Sequence, residues 1–280
     1  IKLCLGVKTS SAMRTVSPWA TYRGPGMVDL LEKLVANYTS TLVLLHETSS
    51  AVVANADFDD AKHLSCIIRE EAAQKTTANE QVIVCAALVE RDCNGVSFVQ
   101  AAFGLDTAAK RLEFFERYAR LYLEAFLTPA HKYGFAFEAH GQNTLARFDC
   151  ATGQLVGFAV RDFSSTVAHA ETLWETLGVK QDILPGASGN ADTLHEVYDL
   201  IYHTTIQCHM HALIRALDLH YSGIGWRVVR RELRRAVPVD SGLYRFFTRP
   251  RVELKCFIAM KMQGLYRDVS SRARALCIKS

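Results

Sequence analysis

The stretch that most limits what this chain can fold into runs from Tyr133 to Phe163. Tyr133–Phe137 is aromatic and small, as suits a buried strand, and at a period of two Glu138, His140 and Gln142 leave on one face. Thr144–Asp149 and Gln154–Phe163 then read as two strands about Cys150–Gly153, a hairpin signal. A hairpin returns the end of its second strand to the start of its first, so Asp162 is expected beside Asn143. Glu138, Asn143 and Asp162 then become neighbours. Converging oxygen donors of this kind suit magnesium, which takes one or two carboxylates while substrate phosphates supply further oxygens. The alternative is that Arg161 and Asp162 form a surface ion pair and Glu138 caps a backbone end.

With 280 residues, 49% of them hydrophobic and 22% charged, the chain can bury a large core as one large domain or two smaller ones. A net charge of +3 with no block of Lys or Arg argues against nucleic acid as a partner. The densest basic stretch, Arg227–Arg235, holds Glu232 within it and reads as the solvated face of a helix. Eight cysteines stand singly, at 4, 66, 85, 93, 150, 208, 256 and 277, with no Cys-x-x-Cys pair. They read as buried thiols of a reducing, cytoplasmic compartment rather than a zinc site or disulfide frame. No run of eighteen apolar residues and no signal-peptide pattern occurs, so no membrane is expected. The chain opens at Ile1 inside a strand-like run, which leads us to expect part of a longer polypeptide.

Along the chain, Ile1–Lys8 alternates as a strand and leads into Thr9–Thr15, a hydroxyl-rich bend with Arg14 that is either an anion site or an ordinary turn. Ser17–Trp19 and Arg23–Gly26 read as loops, Met27–Tyr38 as a helix, and Thr41–His46 as a buried strand with a core histidine. Asp59 and Asp60 open an expected helix over Ala61–Glu71 with Leu64, Ile67 and Ile68 inward. Gln74–Glu80 and Glu90–Gly95 read as loops about Val82–Val89, a strand or buried helix. A long helix from Asp106 to Leu127 is expected to stop at Pro129. Further helices are expected over His169–Leu177, Asp192–His220, Trp226–Ala236 and Arg251–Tyr266. The histidines of the longest lack metal-ligand spacing, since His209 and His211 are two apart. The fold class is α+β, a mixed or antiparallel sheet with a largely helical C-terminal half.

Several strings then coincide. Ile1–Leu3, Thr9–Thr15, Ile68–Glu70, Phe137–Asn143, Arg161–Phe163, Tyr202–Thr204, Leu254–Lys255 and Met260–Met262 resemble, in order, the second half of the IucA/IucC-type siderophore synthetases. These enzymes build siderophores independently of nonribosomal peptide synthetases. The resemblance implies a cupped hand of thumb, fingers and palm, with residues 1–105 the last part of the fingers and 106–280 the palm. It implies an ATP- and Mg2+-dependent ligase that adenylates citrate or a related polycarboxylate and passes the acyl group to an amine or alcohol. Carried over by position, Lys2, Ser10, Ser11 and Arg14 meet nucleotide phosphates or substrate carboxylates, with Arg14 and His140 catalytic. Glu138, His140, Gln142, Asn143 and Asp162 surround ATP, and Glu138, Asn143 and Asp162 hold its magnesium. The chain departs from the family at Cys208-His209, where Asn-His is expected, and at Met260-Lys261-Met262, where Met-Arg-Leu is expected. A homodimer is left open. The other classes considered are a siderophore-iron reductase, which calls for a cysteine-rich tail, and a noncatalytic palm-like binding module.

Overall fold

In the computed structural model, residues 1–8, 13–36, 41–54, 56–184, 187, 189–252 and 262 are described. Three short strands, β1 (Lys2–Leu3), β2 (Leu5–Lys8) and β3 (Met13–Arg14), lead to helices α1 (Pro18–Gly26) and α2 (Val28–Val35). Then come β4 (Leu42–Leu44), β5 (Glu47–Val52), α3 (Phe58–Ala61), β6 (Ser65–Arg69), α4 (Ala72–Lys75), β7 (Glu80–Val84), α5 (Cys85–Leu88) and α6 (Phe98–Ala102). The long α7 (Ala108–Tyr133) precedes β8 (Phe135–Ala136), β9 (Thr144–Asp149), β10 (Leu155–Val160) and β11 (Val167–His169). The rest is α8 (Ala170–Leu177), β12 (Asn190–Ala191), α9 (Leu194–Tyr202), a π-helical segment His203–Met210, α10 (His211–Ala216), α11 (Ile224–Ala236) and α12 (Gly242–Phe247). Strands and helices alternate early and helices dominate late, as the α+β reading expects.

The central sheet has the order β4-β10-β9-β7, with β10 antiparallel to β9, parallel to β4, and β9 antiparallel to β7. It therefore joins strands from both halves of the chain. Thr144 to Phe148 are all buried, which is why this hairpin shows no hydrophobic alternation: both of its faces are covered. On one face Phe158 meets Tyr118 and Tyr122 of α7 edge-on, at 5.0 and 5.3 Å between ring centroids. On the other, Leu45, Leu145 and Ala159 form a small separate cluster. A second sheet has the order β1-β6-β5, a third β12-β11-β8, and β2 pairs with β3.

Three expectations are corrected. Ser65–Arg69 is a strand, not helix: β1 and β5 pair with it on both sides, while Leu64 and Ile68, assigned to a buried helix face, are exposed. Long-range pairing here overrides a local helical pattern. Pro18–Gly26 is helix rather than loop, because Ser17 caps it by accepting from the Ala20 amide and Pro18 fills its first turn, where no amide is needed. Pro129 does not stop α7, which runs on to Tyr133 and ends at Gly134 with φ 61°. The buried side chains Phe126, Leu127 and Ala130 continue across the proline, so packing offsets the lost backbone bond. Gly242–Phe247, between the helices expected over Trp226–Ala236 and Arg251–Tyr266, is itself helix, α12. The helix expected over Arg251–Tyr266 lies almost wholly outside the described residues. On α11, Val228, Val229 and Leu233 are buried while Arg231 and Arg235 flank the buried Glu232, an ordinary amphipathic helix.

Cys85 sits between α7 and the sheet, where burial pushes its thiol up to about 12 against the opposing Tyr118 hydroxyl. At pH 8 a thiol reagent is expected to label the exposed Cys93, Cys150 and Cys208 quickly, and Cys85 only on unfolding. Equal rates in the native protein would show that this layer opens.

Candidate active site

The hairpin builds the first part of the site. Asp149 accepts from the amide and hydroxyl of Thr152, and Gly153 takes φ 68°, so the chain reverses tightly at Cys150–Gly153. Val160 then lies opposite Thr144, and the Arg161 amide donates to the Asn143 carbonyl at 3.0 Å. The Arg161 guanidinium donates to the Gln142 carbonyl at 2.9 Å. Asp162 follows with φ 70°, a left-handed backbone that costs a non-glycine residue free energy and is found most often where function requires it.

What holds Asp162 there is a set of long-range contacts. Lys2 Nζ donates to both carboxylate oxygens at 2.8 Å, Ser164 Oγ to one at 2.9 Å, and Arg69 stands 3.6 Å away. Burial alone raises its carboxyl, but the Lys2 charge and hydrogen bond, with Arg69 and Ser164, outweigh this and hold it below the usual range. A surface Arg161–Asp162 ion pair is thus not what the fold makes of this string. Arg69 also reaches Glu47, at 3.3 Å. Glu47 is fully buried and its Oε2 accepts no hydrogen bond; burial, then Asp162, push its carboxyl up against the pull of Lys2 and Arg69. Burial and Arg69 in turn hold the Arg161 guanidinium below its usual range. Three cations, Lys2, Arg69 and Arg161, therefore crowd two carboxylates, one of them shifted toward neutrality, and this leaves a place that favours an incoming anion.

The second part is the run Phe137–Asn143. The strand expected to carry Glu138, His140 and Gln142 on one face ends at Ala136, and His140–Asn143 is a turn in which the amides of Asn143 and Thr144 both donate to the His140 carbonyl. The turn is forced at Gly141, whose added Cβ would lie 3.0 Å from the backbone nitrogen of Ala86. Alternation survives as far as His140, with Phe137 and Ala139 inward and Glu138 and His140 half-buried, whereas Gln142 is exposed. His140 Nε2 is 3.9 Å from Glu138 Oε2. The Asn143 amide donates to the Glu138 carbonyl at 3.2 Å and reaches its carboxylate at 3.4 Å.

The fold thus groups Lys2 with Asp162, and Glu138 with His140 and Asn143, and joins the groups through Arg161 and Asn143. Arg14 stands exposed on β3 opposite Leu5, while Ser10 and Ser11 lie outside the described residues. Sequence reasoning gave no role to Glu47 or Arg69. The signals were present: Glu47 ends an apolar run, and Arg69 belongs to one of the strings of the resemblance. Neither could be placed without the β5–β6 pairing that sets Glu47 opposite Arg69. A cleft of about 900 Å3 lies elsewhere, between α7, α11 and the hairpin turn, and one of about 130 Å3 lies under Gly141 and Gln142.

Among the described residues no three His, Cys, Asp or Glu side chains gather to cage a metal. Magnesium does not require such a cage, because it keeps waters and phosphate oxygens in its shell. The adjoining Glu138 carboxylate and Asn143 amide are hard oxygen donors and fit that chemistry. Asp162 is another, engaged in this structure by Lys2.

Residues 1–90 match the IucA / IucC family, and residues 112–262 match the family described as ferric iron reductase FhuF-like transporter. The chain is 44% identical over 274 residues to the NRPS-independent siderophore synthetase rfs of Rhizopus delemar, covering 96% of this chain and 43% of that protein. Its fold superposes on the petrobactin biosynthesis protein AsbB of Bacillus anthracis with a TM-score of 0.78 at 17% identity, over 96% of this chain and 48% of that one. It also superposes on ATP-bound aerobactin synthetase IucA of Klebsiella pneumoniae, with a TM-score of 0.67 at 18% identity, over 84% and 44%. The chain therefore spans less than half the length of these relatives. The chain belongs to the IucA/IucC-type, NRPS-independent siderophore synthetase family, of whose members it spans a part, and over residues 112–262 it matches the FhuF-like family.

Proposed function

We propose that this chain is the nucleotide-holding part of a cytoplasmic ATP-dependent ligase of siderophore biosynthesis. It activates a carboxylate of citrate or a similar polycarboxylate and condenses it with an amine or alcohol. The observation that carries the reading is the 2.8 Å contact of Lys2 with Asp162, 160 residues apart, beside Asn143 and amid Arg69 and Arg161. The ATP-bound state of one structural relative supports ATP as the anion. On this reading residues 1–105 complete the fingers and 106–280 form the palm.

The substrate carboxylate oxygen attacks the α-phosphorus, pyrophosphate leaves, and the acyl-adenylate forms. The amine or alcohol then attacks the acyl carbon, loses its proton, and releases AMP. Lys2 and Arg69 would meet the phosphate on which negative charge builds, and such fixed donors stabilise it without reorganisation. Arg14 and His140 supply further cationic or hydrogen-bonding groups for a polycarboxylate, with Ser10, Ser11 and Gln142 as polar lining. Glu138, Asn143 and Asp162 would hold magnesium, whose charge would offset that of the phosphates. Citrate-dependent exchange of pyrophosphate into ATP is the expected result with this chain joined to the upstream half that its relatives carry, and its absence from that protein, folded, counts against the reading.

A second reading, a siderophore-iron reductase, is favoured by the FhuF-like match alone. The described cysteines are scattered singly, with Cys85 buried and Cys93, Cys150 and Cys208 exposed. Reduction of a ferric siderophore without pyrophosphate exchange would favour it.

A further inference from the structure

Six successive carbonyls of the site string, Glu138 to Asn143, are each held by a donor. The Glu138 carbonyl accepts from the Asn143 side-chain amide at 3.2 Å, and that of His140 from the Asn143 and Thr144 amides at 3.0 and 3.1 Å. Gly141 accepts from the Ala86 amide at 2.9 Å, Gln142 from the Arg161 guanidinium at 2.9 Å, and Asn143 from the Arg161 amide at 3.0 Å. The remaining carbonyl, that of Ala139, accepts from the hydroxyl of Tyr122 on α7. Ala86 donates from its backbone, and Arg161 adjoins Asp162. Of the supports from outside the string, Tyr122 is therefore the one that loss of a single oxygen takes away.

The core leaves Tyr122 no other position. It is fully buried, and its ring centroid lies 4.1 Å from that of His209, 4.7 Å from Phe126 and 5.3 Å from Phe158, the last met edge-on. Ala139 is fully buried as well, so without that hydroxyl its carbonyl has no water to turn to. The peptide that follows is trans and planar, so the His140 N–H points opposite to the Ala139 carbonyl, away from the Tyr122 hydroxyl. That amide donates to no described residue. Phe137 and Ala139 are buried, while Glu138 and His140 alternate with them and are half-buried. A carbonyl tied to the core on one side thus fixes an amide and two side chains on the other.

We propose that Tyr122 is a positioning residue of the site: by holding the Ala139 carbonyl in the core, it sets the direction in which the His140 amide and the Glu138 and His140 side chains meet the nucleotide. The proposal rests on the reading of Glu138–Asn143 as the nucleotide-facing string.

Tyr118 supplies a matched control. One turn earlier on α7, it is also fully buried, stacks on Tyr122 at 6.0 Å and meets Phe158 edge-on at 5.0 Å. Its hydroxyl pairs instead with Cys85 Sγ at 3.2 Å and His209 Nε2 at 2.6 Å. Tyr122→Phe and Tyr118→Phe each delete one hydroxyl from the same layer, and both are expected to lower Tm. The test uses this chain joined to the upstream half that its relatives carry. In Tyr122→Phe, hydrogen exchange of the Glu138–Thr144 peptide is expected to quicken about tenfold and Mg-ATP affinity to fall about fivefold. In Tyr118→Phe, each is expected to change by less than about twofold. The proposal is overturned if the two variants bind Mg-ATP alike, weakened or not, or if Tyr122→Phe fails to fold where Tyr118→Phe folds, since either result makes Tyr122 a packing residue only. Absence of Mg-ATP binding by the unsubstituted protein would overturn the nucleotide reading and this proposal together, whereas equal binding by the two variants overturns this proposal alone.

Discussion

Asp162→Asn is expected to remove magnesium-dependent ATP binding while leaving the protein folded. Asparagine is among the few residues that accept a left-handed backbone, so φ 70° is preserved, and its amide can still accept from Ser164 or Lys2. What is lost is the negative charge that balances Lys2 and Arg69 and the anionic oxygen offered to the metal. Because Lys2 and Asp162 retain some exposure, the loss of the ion pair should cost about 1 kcal/mol of stability. If Asp162 is the metal ligand proposed above, the change should weaken Mg-ATP binding by at least about 10–100-fold, the range seen even for groups behind the ligands. Titration calorimetry with and without magnesium separates the two effects. Unchanged nucleotide affinity in a folded variant would sink the metal assignment. The pH dependence has a definite sign. A carboxyl held below its ordinary value stabilises the native state at pH values above the unfolded pKa, and that stability disappears as pH falls through the native pKa. The pair therefore weakens only in acid, below the usual carboxylate range.

Gly157→Ala is expected to cost much of the fold's stability for one added methyl group. Its Cβ would lie 2.4 Å from the Thr41 carbonyl oxygen and 3.0 Å from the carbonyl carbon, both backbone atoms that cannot turn aside. The same Thr41 oxygen accepts from the Phe158 amide at 2.7 Å, so relief of the clash pulls β4 away from β10 at the start of their parallel pairing. The register shift between Leu155 and Gly157 leaves the strand little room to absorb the change. Overpacking of this kind costs about 3 kcal/mol, which for a chain of this size lowers Tm by roughly 5–10 °C. Gly153→Ala, in the hairpin turn with open space around it, should cost only about 1 kcal/mol through its φ of 68°. Thermal unfolding of the two variants decides the matter. Equal Tm values would mean that the β4–β10 junction yields freely.

The hairpin was legible because its determinants are local: a turn with Asp149 and Gly153 between two apolar runs, and a polar string at the point where the strands close. Helix α7 was legible for the same reason, through its apolar stripe, apart from its end, where buried packing carried it past Pro129. Ser65–Arg69 was misread because a short apolar run fits helix and strand alike, and only pairing with β1 and β5 decides between them. The Glu138–Gln142 face was half right, since alternation holds until Gly141 meets Ala86, a contact between residues 55 apart.

The amino-acid order by itself determined which groups this protein brings to its site: Lys2, the Glu138–Asn143 string and Asp162, with the hairpin that returns Asp162 to Asn143. Only the tertiary structure decided what surrounds them. Glu47 and Arg69 join Asp162 through a strand pairing, and Tyr122 reaches the Ala139 carbonyl through a helix packed against a sheet. Hairpins and helix stripes are set by neighbours a few residues away, whereas a buried ion pair or a propped carbonyl depends on which distant surfaces the whole core brings face to face.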